Sequence, residues 1–80
     1  MKSEWIYVIR SIKKKYTYTG ITNNIDRRIA EHNKGYSKST KLYAPFRLIL
    51  QEPYPNKQVA RGREKFLKSG KGREFLAKLK

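Results

Sequence analysis

The chain opens on a run of β-branched and aromatic residues. EWIYVIR, residues 4–10, reads as a strand. Residues 11–15 form a polar turn, and YTYTGI, residues 16–21, reads as the second strand of a hairpin. The apolar period then lengthens. Ile25 and Ile29 lie four residues apart, which predicts a helix capped by Asn23 or Asn24, running to about Asn33 and stopped by Gly35. A polar, basic loop occupies residues 35–44. PFRLILQ, residues 45–51, reads as a third strand with Pro45 at its start, where a missing donor is tolerated. Pro53 and Pro55 are expected to end it. Asn56 can cap a second helix reaching about Lys68, SGKG at 69–72 is expected to break it, and residues 73–80 form a short third helix. The order β-β-α-β-α-α predicts an α/β chain of the α+β type: a small three-stranded antiparallel sheet flanked by three helices. No internal repeat or linker interrupts it, so residues 1–80 read as one domain.

Helical geometry sorts the side chains of the first helix. At about 100° per residue, Ile25 and Ile29 face the core and His32 falls between their directions. Arg28 sits on the flank of Ile25, whereas Arg27 points nearly the opposite way. Arg28 can therefore reach a site beside the sheet, or form a surface salt bridge with an acid. Arg27 suits solvent or a phosphate at a rim. His32 reads either as a functional group or as a packing histidine.

The hairpin carries a register condition. Tyr7 and Tyr18 share a face only if the connecting loop holds an even number of residues. Ser11 paired with Tyr16 across a loop of residues 12–15 satisfies it. Taken alone, strand tyrosines are more often packing residues than catalysts. On the second helix Val59, Ala60, Phe66 and Leu67 form an apolar side with Glu64 at its edge. That carboxylate suits a hard divalent cation or a partner for Lys68. Arg63 falls in the apolar side, where it either snorkels outward or pairs with Glu52.

Charge changes the picture most. Twenty Lys and Arg against six acids give a net charge of +14, which implies a polyanionic partner, nucleic acid first. No segment is a clean basic amphipathic anchor for an acidic membrane. Zero cysteines exclude disulfides, thiolate metal sites and cysteine nucleophiles. The missing cysteines, the absence of a long apolar run and the lack of a leader-like apolar segment in MKSEW lead us to expect a cytoplasmic protein. A single histidine excludes a histidine metal cluster, and neither a nucleotide-hydrolase glycine loop nor a serine-nucleophile motif is present.

Taken together, Trp5-Ile6-Tyr7, Tyr18-Thr19-Gly20, the set Asn24, Ile25, Arg28 and His32, and Glu64 within ARGREK resemble the GIY-YIG nuclease family. The likeness spans essentially the whole chain and is greatest to small stand-alone bacterial members, which also end in a segment like KSGKGREFL. Trp5 stands where the first motif has glycine and Thr19 where the second has isoleucine; neither change removes a chemical side chain. No asparagine follows Asn56, so an auxiliary role that some members give to one is empty or filled differently.

The resemblance implies a metal-dependent endonuclease acting on DNA, structure-selective and serving repair or recombination. It implies one Mg²⁺ or Mn²⁺ held by Glu64, Tyr7 or Tyr18 as general base, Arg28 stabilising the pentacovalent phosphate, and His32 bonded to a tyrosine or the phosphate. A phenol of pKa ~10 needs nearby cations to lower it for that role. Gly20 is expected to leave room for close approach of substrate. Arg27, Lys34, Lys38, Lys41, Lys68 and Lys71 are expected to hold the sugar-phosphate backbone. The alternative is a non-catalytic nucleic-acid-binding protein that keeps the fold.

Overall fold

A computed structural model describes residues 3–79. Strand β1 (Glu4–Ser11) lies between β2 (Thr17–Thr22) and β3 (Phe46–Tyr54), antiparallel to both. The remaining elements are α1 (Ile25–Asn33), a 3₁₀ turn (Lys41–Tyr43), α2 (Lys57–Leu67) and α3 (Gly70–Ala77). The expected order β-β-α-β-α-α is the observed one. The hairpin closes with Ser11 N–H donating to the Tyr16 carbonyl at 2.9 Å. That register sets Tyr7 opposite Gly20 and Ile9 opposite Tyr18, so Tyr7 and Tyr18 share a face.

Because β1 is central, both of its faces are covered, which explains its unbroken apolar run. Ile6 and Val8 pack with Ala60, Leu67 and Leu76 of the α2–α3 layer. On the other face Tyr7 and Ile9 pack with Phe46 and with Ile25 and Ile29 of α1. Burying an isoleucine of this kind contributes about 1.5–3 kcal/mol relative to leaving it in water.

The helix starts follow from their caps. Asn24, Asn56 and Ser69 each accept a backbone N–H of the first turn through the side chain. Gly35 adopts φ 79° just beyond α1, the left-handed conformation that closes a helix without a Cβ penalty. Asn33 then ties α1 to β3, accepting from Phe46 N–H at 2.7 Å. Arg10, on β1, donates to the carbonyls of Leu79 and Leu76 at 2.9 and 2.8 Å, satisfying the end of α3.

Several expectations need correction. β3 continues to Tyr54 instead of stopping before Pro53, because it is an edge strand, where a proline can sit without breaking the ladder. SGKG does not break the helices over four residues. Ser69 caps α3, which begins at Gly70. Gly72 is needed there for packing: a Cβ would stand 2.5 Å from Leu67 Cα and closer still to the Phe66 carbonyl. On α2, Val59 and Phe66 are exposed and only Ala60 and Leu67 are buried. Arg63 pairs with Glu52, its Nε and Nη2 at 2.9 and 3.1 Å from the two carboxylate oxygens, and it lies over the rings of Phe66 and Phe75. Burial alone would raise the Glu52 carboxyl, but hydrogen bonds from Arg63 and Tyr54 outweigh it and hold its pKa down. No helix among the described residues is long and apolar enough to cross a membrane.

Candidate active site

Strand β1 delivers Tyr7 to the α1 face of the sheet, where its ring lies directly over Gly20. A Cβ at position 20 would stand 2.6 Å from the Tyr7 hydroxyl. The room expected at Gly20 for substrate is thus taken by Tyr7, and Gly20 itself is buried. The Tyr7 hydroxyl meets His32 Nε2 at 2.9 Å. His32 Nδ1 meets Thr40 Oγ1 at 2.8 Å. All three residues are buried, with 1, 0 and 0 % of their surfaces exposed, so this chain of hydrogen bonds is shielded from competing water. Tyr18 flanks it, its ring centroid 5.0 Å from that of His32 and 6.1 Å from that of Tyr7.

The helical wheel of α1 holds. His32 turns fully inward, Arg28 is half-buried on the flank, and Arg27 is exposed. Both arginines nevertheless share one carboxylate, Glu31, at 2.9 Å from Arg28 and 4.0 Å from Arg27. The hydrogen bond from Arg28 pulls the Glu31 carboxyl below its ordinary range. That bond, together with the nearby phenol of Tyr7, raises the already high pKa of Arg28 and keeps it cationic.

Electrostatics correct one expectation about Tyr7. Burial, reinforced by Tyr18, pushes its phenol up to about 12; the Arg28 guanidinium pulls it back only in part. Burial and Arg28 together lower His32 below its ordinary value, with Glu31 opposing them. The resting pair is therefore a neutral phenol on a neutral imidazole.

Glu64 stands in the other layer, hydrogen-bonded to Lys68 at 3.3 Å, and no hydrogen bond joins it to Tyr7, Arg28 or His32 among the described residues. Lys68, one helical turn on, lines a cleft together with Thr17, Tyr18 and Thr19 of β2. No group of three or more His, Cys, Asp or Glu among the described residues could cage a metal. A lone carboxylate does fit Mg²⁺ or Mn²⁺, ions that commonly take one or two carboxylates and complete their shell with waters and substrate phosphate oxygens. Lys34, Lys38 and Lys41 are exposed around the segment that carries Thr40, and Lys71 is exposed on α3.

Sequence reasoning missed Thr40 and Glu31. Thr40 lies in a Ser- and Lys-rich stretch with no periodicity to mark it. Glu31 follows Arg28 by three residues, a helical ion-pair spacing that does signal the contact.

The chain as a whole has counterparts. The sequence model of the GIY-YIG catalytic domain matches residues 3–78, and the chain belongs to the GIY-YIG family, a family of nucleases. It is similar to small proteins called UPF0213: 37% identical over 65 residues to one from Clostridium perfringens, covering 80% of this chain and 69% of that protein. One from Natronomonas pharaonis is 38% identical over 66 residues, covering 81% and 76%. The solution NMR structure of a UPF0213 protein from Bacillus halodurans superposes with a TM-score of 0.55 at 32% identity, over 94% of this chain and 82% of that one.

Proposed function

We propose that the protein is a metal-dependent endonuclease that hydrolyses phosphodiester bonds in DNA, acting in the cytoplasm in repair or recombination. The buried contact of Tyr7 with His32, flanked by the cationic Arg28, carries this reading. A phenol held near 12 does not ionise unaided at neutral pH: about five pKa units correspond to ~7 kcal/mol. Hydrogen bonding to His32 supplies the alternative. Tyr7 donates to Nε2 while Nδ1–H donates to Thr40. Once the site opens enough to admit an attacking water to the buried Tyr7 oxygen, the water gives its proton to that oxygen as Tyr7 passes its own proton to Nε2. The water oxygen bonds to phosphorus and the 3′ oxygen leaves. Depression of the His32 pKa keeps the imidazole ready to accept. Arg28 stabilises the added negative charge on the phosphate.

Glu64 would hold Mg²⁺ or Mn²⁺ together with a phosphate oxygen, and such an ion, when bound, supplies Lewis-acid polarisation of the phosphorus and charge neutralisation at the 3′ oxygen. A nicking assay on supercoiled and branched DNA with either ion tests the reading. Wild type is expected to nick, and Glu64→Ala to lose cleavage while keeping most of its binding. Equal cleavage by the variant, or no metal-dependent cleavage by wild type, refutes it and leaves the non-catalytic binder.

A further inference from the structure

Trp5 stands where the family's first motif has glycine, and the chemistry proposed above makes no use of it. Strand alternation puts Trp5 on the same sheet face as Tyr7, ~7 Å away along β1. Gln51 lies directly across from Tyr7 on β3, so it shares that face. Beside these two the chain turns into α1, and Asn23, Asn24, Ile25 and Asp26 complete a recess of about 280 Å³ with Trp5 and Gln51. Arg28 begins the next turn, its backbone N–H donating to the Asn24 carbonyl at 3.1 Å. The recess is therefore a neighbour of both Tyr7 and Arg28. Trp5 is half-buried, whereas Asn23, Asp26 and Gln51 are exposed. The side-chain hydrogen bonds of this corner belong to Thr22 and Asn24. Asn24 uses only its Oδ1, on the Arg27 N–H, which leaves its amide donors open. Asp26 enters none of the four ion pairs among the described residues, although cations outnumber acids twenty to six in this chain. No lysine or arginine lines the recess.

We infer that this recess receives one nucleobase of the bound strand, an adenine or a cytosine, and so reads sequence beside Tyr7. An ionised carboxylate only accepts hydrogen bonds and repels phosphate. The part of a strand that Asp26 can face is thus a base edge bearing an amine. Side-chain amides and a carboxylate match adenine and cytosine, which offer an exocyclic amine next to a ring nitrogen. Thymine has no such amine. The O6 and N7 of guanine call for arginine or lysine, and the lining has neither. The indole of Trp5 supplies a face for stacking. The volume falls just under the ~300–1,000 Å³ of a whole small-molecule site, which suits one ring system. A base that enters has left its own stack, so it comes from an unpaired or extruded nucleotide. Exposed lysines hold phosphates without regard to sequence; this recess adds a contact that depends on it. The inference rests on the nucleic-acid part of the reading above and on none of its cleavage chemistry.

Trp5 is the chain's one tryptophan, so its fluorescence reports on the recess directly. The full chain is titrated, without divalent metal, with oligodeoxyadenylate, oligodeoxycytidylate, oligothymidylate and a base-free strand of equal length. Adenylate and cytidylate should quench Trp5 and bind at least about fivefold tighter than thymidylate, the scale of one well-matched base contact. The base-free strand should bind and leave the emission unchanged. Gln51→Ala, at an exposed position, should cut the preference to less than about twofold and leave affinity for the base-free strand as it was. Asp26→Ala should lose the preference too, yet bind the base-free strand more tightly, because an acid near phosphates is gone. Gln58→Ala, an exposed glutamine on α2, should keep the preference. Equal quenching by the base-free strand, an emission that no strand changes, or a preference that survives both Gln51→Ala and Asp26→Ala overturns the inference. Nicking without base preference removes this inference and leaves the nuclease reading standing; preference without nicking does the reverse.

Discussion

Tyr7 lies across Gly20 with no space for a methyl group between them. The glycine serves the tyrosine: it lets a phenol on the central strand swing over the neighbouring strand to reach His32. Gly20→Ala should therefore destabilise the fold by about 1–3 kcal/mol, as overpacking does. Urea unfolding measures it. Tyr7→Leu removes the ring, so the double variant should lose less than the sum of the two single losses. Strict additivity would contradict direct contact.

Thr40→Val keeps the shape of a buried side chain and deletes the hydroxyl that meets His32 Nδ1. An unpartnered buried nitrogen costs about 1–3 kcal/mol. Stability should fall by that amount, and the imidazole ¹⁵N shifts should report a mixture of tautomers in place of one. Unchanged shifts would show that Thr40 does not hold the ring.

Acid stability carries a signature of His32. Its pKa is lowered in the folded protein, so below the ordinary value of 6.5 the unfolded chain binds the proton first. The stability is present in full above pH 6.5 and is lost as pH falls through the folded value. His32 is the chain's one histidine, so no other side chain shares this window. His32→Gln should flatten the stability profile there, and the carboxylates Glu31 and Glu52 should act only at lower pH. A profile equally steep in the variant would remove the assignment.

Tyr7 governs the alkaline limb. Its pKa rises from 10.0 to about 12 on folding, so the folded state keeps a proton that the unfolded state gives up. Stability should decline from pH 10 upward, by about 2–3 kcal/mol in total for a two-unit shift. Tyr7→Phe should remove most of that decline. Tyr16 and Tyr54 are raised as well and account for the remainder.

Arg28→Ala and Arg27→Ala should part company in nicking assays. Loss of Arg28 should reduce cleavage about a hundredfold or more, as loss of one transition-state donor does. Loss of Arg27 should weaken DNA binding and its salt dependence only. Neither change should cost much stability, since helix-surface pairs with Glu31 contribute only ~0.3–0.5 kcal/mol. Matching effects on cleavage would refute the separation of their roles.

Most of the elements and the α1 wheel were legible because each rests on local rules: two periods, two caps and one even loop. The hairpin register even set Tyr7 and Tyr18 on one face. What escaped depended on contacts distant in the chain. Nothing around Thr40 marks it as buried against a histidine eight residues earlier. Whether Arg63 would snorkel or pair was settled by Glu52, on another element. The Tyr7 pKa went the wrong way in sequence reasoning because cations are countable in a sequence and burial is not. Gly72 read as a helix breaker because its neighbour across the helix pair was invisible.

Arg10 binds the carbonyls of Leu76 and Leu79, sixty-six and sixty-nine residues further along. The strand it stands on is the centre of the sheet and precedes the other described elements in chain order. The sheet has all its strands by Tyr54, yet Arg10 finds its two acceptors only at the far end of α3. The contact closes the fold into a ring, with the last turn of helix tied to the central strand, and a chain cut short before α3 leaves a half-buried guanidinium without either carbonyl.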